Sequence, residues 1–369
     1  DYTANPHLSR DDEVKIVGRP HSPPLLTVGC AIATKSAGND AQCIQGRILD
    51  VKNETEYERF DERATEFLQA LIPAAQRSKA LDFAEITIRK PTQKVRLLEG
   101  LMERSKDPMT KIGPFQKKEP YPKVTDPRNI SNASHYQYAN LAAYTQLFKS
   151  EILKHQHWYI PGKSPQQIQD AIRRMTIITH KKKENLLLAT DISRMDGSRP
   201  PQGAELYRRA LLRFFHLSER DEINKLMDLD LNQDCISEFG IKYNSGSTQL
   251  SGSVTTTDSN TLLNAFWSYC AVRDFVEANG RHQTPTESLQ WIGLKCGDDG
   301  LDYPWVRSDK VAAEMGFKVK ADMFETDRWI PFLSRWFFDP AGFDHSICDV
   351  PRALTKMHMS FNGDPSITT

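Results

Sequence analysis

The sequence predicts an α+β fold in which long helices pack against short strands that carry acidic residues. Thr261 to Ala278 shows a long helical pattern, whereas Asn185 to Thr190 is a short apolar run typical of a buried strand. Ile292 to Tyr303 and Pro331 to Phe338 each combine an apolar run, a tight turn and a return, which indicates a β-hairpin. The chain contains no internal repeat that would favour a repeat architecture.

Length and charge set the scale of the protein but not its partners. At 369 residues the chain exceeds the usual size of one compact core, so two or three subdomains are expected. Hydrophobic content of 39% and charged content of 26% are ordinary for a globular protein. Lysine plus arginine equals aspartate plus glutamate, at 48 each, so a nucleic-acid binder of this composition must separate its charges.

The cysteine spacing and the apolar runs give no sign of a zinc site, a secretion signal or a membrane span. The six cysteines form no CxxC pair and no zinc-ligand spacing, so we expect free thiols in a reducing compartment. The sequence has no signal peptide and no apolar run long enough to span a bilayer. Because the chain begins at Asp1 rather than at Met, we expect it to be a piece of a longer protein, in whose missing part any membrane anchor would lie.

The remaining segments carry clear local patterns. Residues 1–55 are rich in proline, glycine and polar residues and are expected to be irregular and extended. Residues 56–104 show helical spacing, and residues 111–131 combine prolines with basic residues, which predicts strand and loop. Residues 311–315 are expected to form a helix and residues 316–320 a strand. After Pro200 and Pro201 an amphipathic helix is expected, with its apolar face formed by Leu206, Ala210, Leu211, Phe214 and Phe215.

Two acidic motifs are predicted to meet at one edge of a sheet. Asp191 ends the apolar run of the first strand and Asp196 follows five residues later, while Asp298 and Asp299 occupy the tip of the hairpin in Ile292 to Tyr303. If the hairpin pairs beside the first strand, three carboxylates converge and repel one another unless a divalent cation lies among them. Oxygen ligands of this kind suit Mg²⁺. Taken alone, the Gly-Asp-Asp-Gly sequence is equally typical of a surface turn.

A third motif, Ser-Gly-x-x-x-Thr-x-x-x-Asn, precedes and enters the long helix. It comprises Ser251, Gly252, Thr256 and Asn260. Small residues at its start would let a nucleic-acid backbone or base approach the main chain closely. Asn260 lies about two helical turns beyond Ser251 and would share a face with it; its amide suits a ribose hydroxyl, with Asp196 orienting that contact. Helix capping by serine or threonine is the alternative role of these residues.

The fourth motif is basic. Lys117, Lys123 and Arg128 are spaced along an extended segment, with Glu119 between them. Strand alternation would place Lys117, Glu119 and Lys123 on one face if the prolines keep the register. Such cations suit a triphosphate, and the arginine fork suits bidentate phosphate binding. By itself, the segment is more typical of a solvated run of charge.

The order of these motifs resembles that of the RNA-dependent RNA polymerases of positive-strand RNA viruses. Basic Phe-x-Lys-x-Glu…Arg, Asp-x4-Asp, SGxxxTxxxN, GDD and FLSR correspond to motifs F, A, B, C and E of that family, and GFKVK occupies the place of motif D. DISRMDG, LSGSVTTTDSNT and PFLSRWF are most similar to nodavirus polymerases, with tombusvirus-like and flavivirus-like enzymes as the nearest alternatives. PTQKVRLLEG lies where motif G would fall. The resemblance covers about residues 85–360.

The resemblance implies a right-hand polymerase with fingers, a palm built on an antiparallel sheet, and a short or truncated thumb. The thumb is expected to be truncated because only 32 residues follow Phe337. The implied divisions are an N-terminal extension and fingers at 1–180 (motif F at 111–131), palm with motif A at 181–201, a fingers insertion at 202–245, palm with motifs B to D at 246–330, and motif E with the start of the thumb at 331–369.

The resemblance also implies residue roles in template-directed nucleotidyl transfer by a two-metal mechanism. Asp191 and Asp298 would bind two Mg²⁺ or Mn²⁺ ions, with Asp299 a weaker ligand, and Lys320, favoured slightly over Lys318, would protonate the leaving pyrophosphate. The other implied roles are triphosphate binding by Lys117, Lys123 and Arg128, nucleotide and ribose binding by Asp196, Ser251, Thr256 and Asn260, and RNA binding by Gly252, Ser334 and Arg335.

The implied partners are template and product RNA and ribonucleoside triphosphates, with homo-oligomers in a replication complex. Membrane association would come from a segment absent from this chain, at replication complexes in the host cytoplasm and, by resemblance, on the mitochondrial outer membrane. Three other interpretations are a reverse transcriptase, against which Asp196 and Asn260 argue, a palm-fold nucleotide cyclase, which would lack the SGxxxTxxxN helix, and an inactive RNA-binding replication scaffold.

Overall fold

A computed structural model describes residues 19–20, 30–75, 77–87, 91–102, 112–357 and 359–360. The helices are α1 (Ala37–Ile44), α2 (Phe60–Leu71), α3 (Pro91–Met102), α4 (His135–Glu151), α5 (Pro165–Lys181), α6 (Pro201–Phe214), α7 (Arg220–Asp228), α8 (Thr256–Ala278), α9 (Pro285–Leu289), α10 (Ser308–Glu314) and α11 (Val350–Met357). The strands are β1 (Arg19–Pro20), β2 (Ala31–Ile32), β3 (Gly113–Gln116), β4 (Pro120–Tyr121), β5 (Asn129–Asn132), β6 (Leu186–Ile192), β7 (Asp234–Ile236), β8 (Lys242–Asn244), β9 (Leu294–Cys296), β10 (Asp299–Asp302), β11 (Val319–Glu325), β12 (Trp329–Phe332), β13 (Arg335–Phe338), β14 (Ser346–Cys348) and β15 (Met359–Ser360).

A four-stranded antiparallel sheet in the order β11-β6-β10-β9 carries the acidic motifs. The predicted buried strand is β6, and the predicted hairpin is β9–β10, which pairs beside β6 as the acidic pattern requires. β11 pairs along the other edge of β6. The strand expected at residues 316–320 begins only at Val319, because Gly316 adopts a left-handed conformation (φ 82°) just after α10 ends.

Helix α8 forms the centre of the largest apolar core. Most of its side chains are buried, and they include apolar residues on several faces as well as small polar ones. Phe266 of α8 packs against Phe60 and Phe67 of α2 at ring-centroid distances of 5.5 and 5.6 Å. The helix begins at Thr256, five residues before the start expected from the apolar pattern, because its first turn is polar. α8 therefore provides a rigid, fully enclosed support for the sheet.

The N-terminal segment departs from its predicted irregular conformation. Residues 37–44 form α1, which continues as a π-helical turn at residues 45–49. The Ser36 hydroxyl caps α1 by accepting a hydrogen bond from the amide of Asn39 at 3.2 Å. Cys43, Ile44 and Ile48 belong to apolar cores supplied by distant parts of the chain, so tertiary packing stabilises a helix that the local composition disfavours. Most of the other residues in this expected extended segment lie outside the described residues.

The predicted strand-and-loop region and the C-terminal hairpin both form. β3 pairs antiparallel with β5 across the basic segment, whose first residue, Lys111, lies outside the described residues. β12 and β13 are joined by Leu333 and Ser334, both with positive φ (53° and 57°), and β14 extends this hairpin into a three-stranded sheet. β15 then pairs with β1. In the part of the chain that the structure describes, no helix combines the length and apolarity needed to cross a bilayer.

Candidate active site

The three predicted metal ligands converge, as the sequence indicates. Asp299 of β10 lies directly across from Asp191 of β6 in the antiparallel register, and Lys320 of β11 lies across from Asp191 on the other side. Cross-strand partners project from the same face of a sheet, so these three side chains share one face. Asp298 precedes β10 at the tip of the hairpin, where its carboxylate is exposed. The prediction that the two acidic motifs meet at the end of one sheet is confirmed.

The electrostatics of this acidic cluster favour a bound cation. Loss of surrounding water, followed by the charges of Asp298 and Asp191, raises the pKa of Asp299 to about 7. The pKa of Asp298 is also raised, mainly because the surrounding protein displaces water, and in addition by the negative charges of Asp191 and Asp196. Ionised together, these carboxylates repel one another across a small space.

The raised pKa of Asp299 makes the stability of the folded chain depend on pH. The ordinary pKa of Asp299 is 3.8, and its value in the folded chain is about 7. Between those two pH values the folded chain binds more protons than the unfolded chain, so the free energy of unfolding falls as the pH rises through that window. A cation that neutralises the cluster would reverse the loss.

The donor set fits a hard divalent ion such as Mg²⁺ or Mn²⁺. All three predicted ligands are carboxylates, which these ions prefer. Within the described ranges, no three His, Cys, Asp or Glu side chains are already arranged as a finished metal site. The strand register nevertheless places Asp191 opposite Asp299, with Asp298 next to it in the chain.

A cavity of about 550 Å³ opens beside the acids. Its lining includes the acids Asp196, Asp298 and Asp299 and the cations Arg47, Arg128 and Arg194. The charge of Arg128 opposes the rise in the pKa of Asp196 and of Asp298, so the two signs of charge lie close together. A cavity lined by both signs of charge suits a ligand that carries phosphates and binds beside carboxylates that hold metal ions.

Asp196 and Asn260 form the hydrogen-bonded pair that the sequence predicts. The Asn260 side-chain amide donates to Asp196 Oδ1 at 2.7 Å, and both residues line the cavity. Burial raises the pKa of Asp196, whereas the Asn260 bond and the charges of Arg199 and Arg128 lower it. Asn260 Oδ1 has no hydrogen-bond donor among the described residues, so the amide keeps an unused acceptor.

The other residues of the SGxxxTxxxN motif bond mainly to the protein itself. The Ser251 hydroxyl donates to Asn129 O at 3.0 Å and accepts from the Ser131 amide at 3.1 Å. The Thr256 hydroxyl donates to Leu250 O at 2.8 Å, within the loop before α8. Ser251 lies ahead of the helix rather than on the Asn260 face, although both residues line the cavity. Their side chains thus fasten the start of α8 to β5.

Gly252 is required by a close approach of the protein's own backbone. Its amide donates to Ser131 O at 2.9 Å, and an added Cβ would lie 2.5 Å from Asn132 Oδ1 and 2.8 Å from Ser131 O. Gly252→Ala should therefore push β5 away from the loop and lower the melting temperature by several degrees, with reduced nucleotide binding. Gly38→Ala is the matched control, because no atom lies within 4 Å of its added Cβ and alanine favours α1. Equal melting temperatures for the two variants would contradict this role.

The basic segment contributes only part of its predicted set. Arg128 lines the cavity, and its Nε lies 3.6 Å from Glu119. Lys117 pairs with Glu119 at 2.8 Å just after β3 ends at Gln116, and Lys123 occupies an exposed bend. The expectation that Lys117, Glu119 and Lys123 share a strand face is wrong, because the strand stops before all three. Triphosphate binding by Lys117 and Lys123 remains a prediction.

Two arginines of the cavity were missed by the sequence analysis. Arg47 comes from the π-helical turn, and its guanidinium donates to Asp126 O at 2.7 Å. Arg194, within the Asp-x4-Asp motif and with φ 54°, pairs with the Asp126 carboxylate and with Gly46 O. Arg194 was visible in the motif, but Arg47 lay in a segment expected to be irregular and offered no signal.

A second cavity, of about 260 Å³, lies on the other side of the acids. Asp191, Asp299 and Lys320 line it together with Ser334 and Arg335 of the C-terminal hairpin. Arg335 is largely engaged within the protein, since its Nη2 donates to Ser346 O at 2.9 Å and its Nε to Ser346 Oγ at 3.0 Å. Lys320 and Ser334 therefore share a cavity with Asp191 and Asp299, and their roles towards the pyrophosphate and the RNA stay predictions.

Comparison with known proteins agrees with this arrangement. No protein-family model matches the chain. It is 31% identical over 368 residues to the RNA-directed RNA polymerase of Striped jack nervous necrosis virus, covering 95% of this chain and 36% of that protein. It is 27% identical over 367 residues to the RNA-directed RNA polymerase of Pariacoto virus, covering 96% of this chain and 36% of that protein. The crystal structure of the RNA-dependent RNA polymerase of a human picorbirnavirus, as an insertion-loop deletion mutant, matches with a TM-score of 0.65 at 14% identity, over 92% of this chain and 72% of that one.

The fold is that of the viral RNA-dependent RNA polymerases, an α+β architecture with the acidic motifs on a central antiparallel sheet. By sequence, the chain is a nodavirus-like member of that class. It spans about a third of the length of the curated relatives that it matches. The predicted class and the predicted nodavirus resemblance are both confirmed.

Proposed function

We propose that this chain carries out template-directed RNA synthesis, in which a primer 3′-hydroxyl attacks the α-phosphate of a ribonucleoside triphosphate and pyrophosphate leaves. The observation that carries the proposal is the pairing of Asp191 with Asp299, with Asp298 beside them at the hairpin tip. The names of the relatives support the same activity. By analogy with positive-strand viruses, the RNA copied would be a viral genome.

The acidic and the basic residues of the site have different roles in this proposal. When bound, two divalent ions would supply the positive charge that offsets the carboxylates and the developing negative charge of the phosphate. Asp191 and Asp298 would hold these ions, with Asp299 as the weaker ligand. Arg128, joined by Arg47 and Arg194, would hold the triphosphate. Lys320 would donate a proton to the leaving pyrophosphate from the opposite side of Asp191.

Selection of ribose over deoxyribose would depend on Asp196 and Asn260. Asp196 holds the Asn260 amide nitrogen, which leaves Asn260 Oδ1 as an acceptor for a 2′-hydroxyl. A site that hydrogen-bonds a substrate hydroxyl discriminates strongly against the substrate that lacks it, because its own polar atom is then left unpaired. Ser251 would join this contact only by exchanging one of its present bonds to β5.

Template and product RNA are the proposed partners, with Ser334 at the turn beside the acids as a contact for the primer strand. Membrane association and assembly into oligomers are also proposed, at replication complexes in the host cytoplasm. Membrane association would involve a segment beyond this chain, which spans 36% of the length of one relative.

Primer extension on an RNA template with Mn²⁺ tests the proposed function. The unaltered chain is expected to incorporate ribonucleotides, and the double variant Asp298→Ala/Asp299→Ala is expected to lose incorporation entirely. Deoxyribonucleotides supplied in a parallel reaction test the ribose contact and separate this activity from that of a reverse transcriptase. If the double variant extends the primer as well as the unaltered chain, the catalytic assignment is wrong; RNA binding without extension by the unaltered chain would favour the scaffold interpretation.

A further inference from the structure

One face of α8 is polar although it is fully enclosed by the protein. Thr261, Asn264 and Ser268 are buried to within 1% of complete enclosure and follow one another at spacings of three and four residues. Residues at these spacings lie on one side of a helix. We call these three residues the polar face of α8. A core helix gains nothing from burying three polar side chains unless each has a specific partner.

Each residue of the polar face has a partner on the β9–β10 hairpin. The Gly297 amide donates to Thr261 Oγ1 at 2.9 Å, and Asn264 Nδ2 donates to Gly297 O at 3.0 Å and to Asp299 O at 3.3 Å. Ser268 Oγ donates to Asp302 Oδ1 at 2.8 Å. The polar face therefore holds the hairpin backbone on both sides of Asp298, and the Asp302 side chain at the end of β10.

The bond at Thr261 acts on the residue that sets the direction of Asp298. Gly297 has φ 64°, a left-handed conformation that the turn needs and that glycine tolerates. The Thr261 hydroxyl cannot turn away from the Gly297 amide without loss, because it donates at the same time to Thr257 O at 2.6 Å. With its proton bonded to Thr257 O, the Thr261 oxygen stays in place to accept from the Gly297 amide, and this bond stabilises the turn that carries Asp298.

The same helix carries the ribose contact. Asn260 is the residue immediately before Thr261 and faces the cavity, where it bonds to Asp196. One rigid helical turn therefore joins the group that would read the ribose to the group that positions the metal ligands. A shift of about 1 Å in such a constellation is enough to lower a rate strongly.

We infer that the polar face of α8 positions the Asp298–Asp299 turn and sets its distance from Asn260, so that Thr261 and Asn264 are positioning residues of the polymerase site. The inference rests on the proposed function for its catalytic meaning, but its geometric content does not. It predicts that loss of a single hydroxyl behind the turn loosens the turn itself, weakens ion binding there and lowers kcat more than it raises KM.

Thr261→Val tests the inference because valine keeps the shape and removes the acceptor. Hydrogen–deuterium exchange of the 297–299 amides is expected to become about tenfold faster, the effect of one lost hydrogen bond. Mn²⁺ binding, followed by electron paramagnetic resonance, is expected to weaken by a similar factor. Thr261→Ser keeps the hydroxyl and should restore both values to those of the unaltered chain.

Two further variants separate positioning from general stability. Thr65→Val is the matched control, because the Thr65 hydroxyl also donates to the carbonyl four residues back (Asp61 O, 2.7 Å) but lies on the exposed side of α2; it should leave turn exchange unchanged. Asn264→Ala removes both donated bonds without added bulk and should speed exchange at the same amides. The inference is overturned if Thr261→Val leaves turn exchange unchanged, if Thr261→Ser behaves as Thr261→Val, or if exchange rises equally throughout the core.

The exchange measurement also separates this inference from the proposed function. A chain that incorporates no nucleotide would refute RNA synthesis, yet the comparison of Thr261→Val with Thr261→Ser would still decide whether the polar face holds the turn. Conversely, an active chain whose turn is unaffected by Thr261→Val would leave the polymerase assignment intact and remove the positioning role.

Discussion

Asp298→Asn is expected to lower nucleotide incorporation roughly 10³-fold, whereas Asp299→Asn is expected to lower it only about tenfold. Asp298 projects from the hairpin tip into the larger cavity, where the triphosphate would lie. Asp299 lies within β10, and its pKa of about 7 means that it is only partly ionised at neutral pH without a cation. A partly protonated carboxyl is a weaker ligand, and asparagine resembles its neutral form. The measurement is primer extension with each variant over a range of Mg²⁺ and Mn²⁺ concentrations.

Thermal unfolding provides the control for this pair of variants. In the presence of EDTA at pH 8, Asp299→Asn is expected to melt at a higher temperature than the unaltered chain. The reason is that the folded chain must otherwise carry an ionised Asp299 beside Asp191 and Asp298. Loss of activity would then not be the result of unfolding. Equal activities for the two single variants would contradict the distinction between the two aspartates.

Lys295→Met is expected to reduce the free energy of unfolding by ~3–5 kcal/mol, because it leaves a buried carboxylate without its counter-ion. Lys295 Nζ of β9 lies 2.6 Å from Asp302 Oδ2 of β10, and both side chains are completely buried. Burial lowers the pKa of Lys295, and the charge of Asp302 opposes that change. Asp302 also accepts from Ser308 Oγ at 2.5 Å, so the carboxylate is the centre of a network. The measurement is urea denaturation followed by tryptophan fluorescence.

Two companion variants make this expectation specific. Lys295→Met/Asp302→Asn removes both charges and should recover part of the lost stability, since the cost arises from the unpaired charge rather than from the missing bond. Lys52→Met is the surface control, because its ion pair with Glu54 at 2.6 Å is open to solvent and should contribute little. If Lys295→Met destabilised the protein no more than Lys52→Met, the buried pair would have no structural role.

Local sequence was sufficient to predict the elements that carry the acids. An apolar run before Asp191 and a glycine-flanked turn at Asp298 and Asp299 specify a buried strand and a hairpin. The pairing of the hairpin with this strand was also predicted. The reason was that the acids of both elements could share one cation only if the hairpin lies beside the strand. Asp196 and Asn260 were found for a similar reason, since their residue types and spacing suit a ribose contact.

Contacts between distant segments escaped the sequence analysis. Arg47 reaches the cavity because a π-helical turn packs on Ile112 and Ile241, which are more than 60 residues away. Lys123 was placed on a strand face, but the strand ends before it. The bonds of Arg335 to Ser346 were not foreseen, and RNA binding by Arg335 stays a prediction. Residue spacing does not encode these contacts, because each one depends on which distant segment packs against the residue in the folded chain.

The sequence by itself determined the chemistry of the site: which side chains are acidic, basic or amide-bearing, and which turns and strands present them. Only the tertiary structure decided their arrangement, including the register of Asp191 opposite Asp299 and the enclosure of Thr261, Asn264 and Ser268 against the hairpin. The physical reason is the distance along the chain over which each kind of interaction acts. Turn and strand preferences depend on neighbouring residues, whereas register, burial and the pairing of buried charges depend on packing among segments far apart in the chain.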